Sequence, residues 1–196
     1  ANLTLDVFGF VKLDGSLAFK KATGSFVVTD GGTHTSTALS NVSYLEVGGH
    51  VTSAFAGVGS IGFNLTGVDF GMLMVSDTKG TLVTTDDVNY MALKAAVASA
   101  GLVGIDGLTA TVTTLSVIVN KTSSTASPNK VLDFVNSAET INTTDTAAAS
   151  RAIATGPAPA PAVTLDIDGD EGALLQVMAN LTLDVFGFVK LDGSLA

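Results

Sequence analysis

The chain has 196 residues, is 46% hydrophobic, and carries 18 acidic against nine basic side chains, with two histidines and no cysteine. Phosphate binding needs clustered Lys and Arg, and the nine here are scattered, so nucleic acid is excluded as a partner; the lack of Cys excludes disulfides and thiolate metal sites. The apolar residues are interrupted throughout by Thr, Ser, Asp and Gly, so no transmembrane segment is expected, and the alternating N-terminal residues lack the basic region of a signal peptide.

The opening stretch ANLTLDVFGFVKLDGSLA alternates, with Leu3, Leu5, Val7, Val11, Leu13 and Leu17 at odd positions and Thr4, Asp6, Lys12 and Asp14 at even ones. A period of two is the mark of a strand with one buried face. Phe8 and Phe10 fall on the otherwise polar face, where an aromatic ring needs a partner, either residues 120–162 of the same chain or a second molecule.

Further strands follow at Ser25 to Thr29, before the turn Asp30-Gly31-Gly32, at Tyr44 to Phe55, at Ser60 to Val75 and at Leu108 to Val119. Gly104-Ile105-Asp106-Gly107 reads as a tight turn. Tyr90 to Gly101 contains helix formers, yet Met91, Leu93, Ala95 and Val97 alternate between β flanks, and we read it as strand. Five to seven strands per unit are expected.

Residues 120–162 change character, to Thr, Ser, Ala, Asn and Pro, and end in GPAPAPA. This predicts an exposed surface excursion with a stiff Pro/Ala spacer, a short strand at Lys130 to Val135 and a short helix at Asp145 to Ala154. Beyond it the odd positions are apolar again from Val163 to Leu195, broken only at Gly169 to Gly172, which predicts one strand from Ala173 to Leu195 of about 75 Å.

The last eighteen residues, 179–196, repeat the first eighteen letter for letter. Residues 1–178 are therefore one repeat, and 179–196 the first strand of the next. A window onto a tandem array, a pilin-like subunit whose extra strand completes a neighbour, and an engineered duplication all make this strand the joint between units. Self-association is expected at Leu3, Leu5, Val7, Phe8, Phe10, Val11 and Leu13 and at Leu181, Leu183, Val185, Phe186 and Phe188. A single unit is not expected to offer two equivalent edges, so one copy should pack on its own unit while the other projects into the next. The fold class is all-β, an elongated antiparallel or sandwich-like repeat of long strands, stacked end to end into a fibre.

Candidate chemistry is sparse. Asp166, Asp168, Asp170 and Glu171 are clustered carboxylates suited to Ca²⁺, although the EF-hand pattern fails because its twelfth position is Val177, and a solvated strand end explains them as well. His34, with Ser36 and Asp30 nearby, and His50 sit in no recognisable catalytic or metal motif. Sequons occur at Asn2, Asn41, Asn64, Asn120, Asn142 and Asn180, of which the loop sites Asn120 and Asn142 read as the accessible acceptors.

The stretches NLTLDVFGFVKLDGSLAF, GVGSIGFNLTGVDFGMLMVSD, LVGIDGLTATVTTLSVIVN and VTLDIDGDEGALLQV resemble the tandem repeats of very large bacterial surface or secreted proteins of the giant adhesin kind. The resemblance implies an extracellular, mechanically extended polypeptide, sometimes accompanied by Ca²⁺-binding modules. The expected function is structural and not enzymatic: a repeat of an extracellular filament, stalk or giant adhesin at the cell surface. Its partner is itself, with cell-surface or glycan contacts, and no cofactor is required. The alternative is a binding module whose apolar face lines a groove for a lipid-like ligand, with Gly9, Gly15, Gly57, Gly59, Gly62, Gly67 and Gly71 leaving room. A polysaccharide hydrolase would need paired carboxylates such as Asp166 and Asp168 facing a cleft.

Overall fold

A computed structural model describes residues 1–135 and 150–196. Among the described residues it is nearly all strand: β1 Asn2–Val7, β2 Val11–Asp30, β3 Thr35–Val58, β4 Ile61–Asp77, β5 Val88–Val103, β6 Leu108–Thr122, β7 Lys130–Asp133, β8 Arg151–Ala154, β9 Ala162–Leu165, β10 Leu174–Val185 and β11 Val189–Leu195. One antiparallel sheet runs in the order β1-β2-β3-β4-β5-β6-β10-β11. β7 pairs with the far end of β2, while β8 and β9 form a separate hairpin. At 24 residues β3 is far longer than the usual strand of about 5 to 6. All four prolines lie between 128 and 161, outside the long strands, so nothing interrupts the ladders.

The meander gives the sheet two unlike ends. Turns 31–34, 78–87 and 123–129 lie at one, rich in Thr, Ser and Asp; turns 8–10, 59–60, 104–107 and 186–188 lie at the other, where the Phe residues gather. Near the polar end, β7 arches from β2 towards β5 and β6, and the β8–β9 hairpin lies on β3, β4 and β5. These cover one face, the inner face, and enclose a core of Phe26, Val28, Val42, Tyr44, Leu73, Val75, Tyr90 and Ala92 beneath Leu132, Phe134, Ile153, Leu165 and Ile167.

Most polar groups beneath the cover are paired, as burial demands, with the Asn120 Oδ1 an exception. The Asp133 carboxylate accepts from Thr29 Oγ1 at 2.7 Å and from the Gly169 N–H at 3.0 Å. Asn120 Nδ2 donates to the Leu132 carbonyl at 2.7 Å. Arg151 donates to Glu46 at 2.6 Å and stacks 4.7 Å from the Tyr44 ring centroid. The hairpin seats closely because Gly48 and Gly71 lie opposite each other on β3 and β4, under Ala154, Ile153 and Val163.

Pairing also defines the outer face, because cross-strand partners share a face. One row is Leu17–Gly49–Phe70–Ala95–Val117–Val177, and another, towards the apolar end, is Leu13–Ala54–Leu65–Ala100–Val112–Leu181. Between these rows the register steps once between β2 and β3, and once between β6 and β10, but nowhere in between. β3 to β6 thus each hold one extra residue at the same level, at Thr52, Gly67, Ala98 and Thr114, and Gly67 and Thr114 take positive φ. Each extra residue reverses the parity of its strand, so the apolar side chains stay on the outer face along the whole sheet.

Several expectations are revised. The strand from Ala173 to Leu195 is broken at Phe186–Phe188 into the β10–β11 hairpin, and residues 1–18 likewise form a hairpin, not one strand. The alternation passes through unbroken because a three-residue loop sets Val185 opposite Val189 on the same face. Phe8 and Phe10 therefore lie in a turn, 93% and 53% exposed, and not on a covered strand face. Part of the supposed surface excursion is the cover of the core, with Val131, Leu132 and Ile153 fully buried. The Pro/Ala run is a compact loop between β8 and β9, in which the Ala160 N–H donates to the Pro157 carbonyl at 3.0 Å. Of the helix expected at 145–154, residues 145–149 lie outside the described residues and Arg151–Ala154 is β8. Tyr90 to Gly101 lies within β5, and the 130–135 strand appears as β7. The five to seven strands expected per unit compare with six long ones in the sheet, β2 to β6 and β10, besides three short ones.

A Cβ added at Gly48 would sit 2.1 Å from the Ala154 carbonyl oxygen, whereas one at Gly193 would meet nothing within 4 Å. Gly48→Ala should therefore cost about 1–3 kcal/mol, seen as a lowered thermal midpoint, and Gly193→Ala should leave the midpoint unchanged.

Candidate self-association site

The duplicated segment folds identically in both positions. In the first copy, β1 pairs with β2 as Leu3↔Gly15, Leu5↔Leu13 and Val7↔Val11; in the second, β10 pairs with β11 as Leu181↔Gly193, Leu183↔Leu191 and Val185↔Val189. The three-residue turn needs two positive-φ positions, Phe8 at 49° and Gly9 at 74°, copied as Phe186 at 51° and Gly187 at 73°. An aspartate fixes each turn: Asp6 Oδ1 accepts from the Gly9 N–H at 2.7 Å, and Asp184 Oδ1 from the Gly187 N–H at 2.8 Å. The Phe10 and Phe188 N–H groups donate to Val7 and Val185 carbonyls, each at 2.9 Å. The sequence Asp-Val-Phe-Gly-Phe-Val thus encodes the turn locally.

The two copies differ in which limb is satisfied. In the first, β2 is paired with β3 as Val11↔Ala56 and Leu13↔Ala54, and the Gly57 N–H donates to the Phe10 carbonyl at 2.8 Å. Its β1 limb has no strand on its other side among the described residues. In the second, β10 is paired with β6 as Leu181↔Val112, Leu183↔Ala110 and Val185↔Leu108, and the Phe186 N–H donates to the Gly107 carbonyl at 2.6 Å. There β11 is the outermost strand. The copies occupy opposite edges of one sheet; a single unit does provide two edges, which corrects the expectation that one copy must project away.

Leu3, Leu5, Val7, Val11, Leu13, Leu181, Leu183 and Val185 all stand on the outer face, and of these Leu5 is 44% and Leu181 43% exposed. Phe186 and Phe188 lie in the second turn, 58% and 91% exposed.

The acidic cluster does not converge. Asp166 pairs with Lys94, Asp168 accepts from the Asp170 N–H at 2.9 Å as the cap of a 3₁₀ turn at Gly169–Glu171, and Asp170 lies 3.3 Å from His34 Nδ1. Among the described residues no group of three or more His, Cys, Asp and Glu side chains is arranged to hold a metal ion. His34, Ser36 and Asp30 are not a triad either: Ser36 Oγ contacts Thr29 Oγ1 at 3.0 Å, and Asp30 Oδ1 accepts from the Gly32 N–H. His50 Nδ1 lies 2.6 Å from Asp69. Asn120, read as an accessible sequon, is fully buried on β6, because its amide is needed to hold β7, and Asn142 lies outside the described residues.

The aligned extra residues and the complementary edges were not readable from the sequence; the signals present were the positive-φ candidate Gly67 and the repeat itself. Family models, curated proteins and solved structures yield no match to the chain.

Gly187 at φ +73° accepts an alanine only with strain, worth about 1 kcal/mol. Gly187→Ala should accelerate hydrogen exchange at the Phe188 amide about fivefold, while amides of the enclosed core strands keep their rates.

Proposed function

We propose that the chain is a structural repeat that propagates one continuous antiparallel sheet, with the duplicated hairpin as the joint between consecutive copies. The observation that carries this is the complementarity of the two edges. One hairpin sequence is seen once with its second limb on β3 and once with its first limb on β6. Placed between two units, it satisfies both limbs at once, giving the order β6–β10–β11–β3 in which β11 is the next unit's β2. Each 178-residue repeat then adds six strands, β2 to β6 and β10, or about 29 Å of sheet at about 4.8 Å per strand.

Open edges favour this assembly, since unpaired strand groups template further pairing and an array leaves them only at its ends. The resemblance to giant adhesin repeats supports an extracellular, cell-surface setting for such an array.

In a two-unit chain, the outward amides of Val189–Leu195 should gain protection from hydrogen exchange, because β3 of the second unit pairs there, and the unfolding midpoint per unit should rise above that of one unit. Unprotected β11 amides together with equal midpoints would show that the units do not share a sheet.

A further inference from the structure

We propose that the outer face of the sheet is a lipid-facing surface, its occupant the hydrocarbon core of a bilayer. This rests on the copies sharing a sheet, because hydrocarbon penalises open strand edges and each joint between copies removes two of them.

Every outward position in the band between the Lys21–Lys121 row and the apolar turns is Val, Leu, Ile, Met, Phe, Ala or Gly. Among these cross-strand-paired positions there is no Thr, Ser or charged residue, in a chain where these are otherwise everywhere. Monomeric soluble proteins rarely expose so uniform a surface, and the band's extent, about 29 Å across six strands by about 30 Å along them, exceeds the patches of about 300–600 Å² usual on them. The band runs from 175 to 185 on β10 and from 11 to 19 on β2, matching the about 9–11 residues that a membrane-crossing strand requires.

Its borders and its reverse side fit the same solvent. At one border Lys21 and Lys121 are placed to extend towards headgroups, beside a hollow of about 560 Å³ floored by Leu45, Met74 and Met91, and its lining holds no acidic residue. At the other border stand the exposed rings of Phe8 and Phe10 at one edge of the sheet and of Phe186 and Phe188 at the opposite edge. On the inner face of the same strands stand Thr109, Thr111 and Thr113, with Lys12 and Asp14. Apolar outwards and polar inwards with a dyad period is the pattern of strands in a membrane. Among the described residues no helix is long and apolar enough to cross a membrane; the route here is by strands.

The chain has no Trp, so single reporters can be placed in the two-unit chain: Val117→Trp outwards and Thr111→Trp inwards. Each is refolded with phosphatidylcholine vesicles whose acyl chains are brominated. Co-flotation is expected, with quenching of the outward reporter at least threefold stronger than that of the inward one. Val117→Arg should lower the vesicle-bound fraction tenfold or more, while Thr111→Arg leaves it within twofold; should Val117→Arg fail to fold, the Trp pair still decides. An unquenched outward reporter, equal flotation of Val117→Arg, or an outward Trp buried in a lipid-free dimer, which would make a second copy the occupant, overturns the proposal. Protection of the β11 amides, measured on the same chain, reports the shared sheet separately, so loss of lipid contact with protected amides counts against the lipid-facing surface alone.

Discussion

A β-strand carries hydrogen-bonding groups along both of its sides, and a sheet of finite width always leaves two rows of them unpaired. The rest of this structure depends on that constraint. Its strands are long and its connections short, so the meander never turns back to cap its own edges along their full length. On that edge of β2, β7 covers only Val27–Asp30 and β1, itself an edge, only Val11–Ser16, and the stretch between them pairs with no strand among the described residues. The two copies of the duplicated hairpin stand at the two opposite edges, each paired to the sheet through a different limb.

The second organising feature is curvature without loss of facing. A sheet this long twists, and one extra residue in a strand normally exchanges its inward and outward side chains. Here one extra residue in each of β3 to β6 lies at a common level, and β3 holds a second beside Asn41, while β2 and β10, which contain the duplicated sequence, remain regular. The apolar pattern in the four middle strands changes parity at that level: Met74, Met72, Phe70 and Val68 are even, and Leu65, Phe63 and Ile61 odd. Sequence pattern and backbone irregularity compensate each other, and the outer face stays apolar between the Lys21–Lys121 row and the apolar turns.

The inner face is handled differently at its two ends. Towards the polar turns it is closed by β7 and the β8–β9 hairpin, whose approach relies on the missing side chains of Gly48 and Gly71 and on the Arg151–Glu46 pair beneath the aromatic rings. Towards the apolar turns it is lined by threonines and has no cover among the described residues. One half of each long strand therefore belongs to a core, and the other half to a sheet that is apolar outwards and mostly polar inwards, Phe55 and Val103 excepted.

The amino-acid sequence alone determined the all-β class, the strand phases and the duplication of the first eighteen residues, because these follow from local alternation, from β-branched composition and from a literal repeat. It also encoded the hairpin turn, through Asp6, Gly9 and their copies, although unbroken alternation concealed it: a three-residue loop conserves parity, so Val185 and Val189 read as one strand. Burial at Leu132 and Ile153 was hidden because the Thr, Ser, Ala and Pro around them look solvated until these two are seen packed in the core. Only the tertiary structure decided that Asn120 is a buried strut, that Asp166, Asp168 and Asp170 turn to different partners, and that the two copies of one hairpin lie on opposite edges. Each of these depends on which strands become neighbours, a relation between residues far apart in the chain that no local pattern carries.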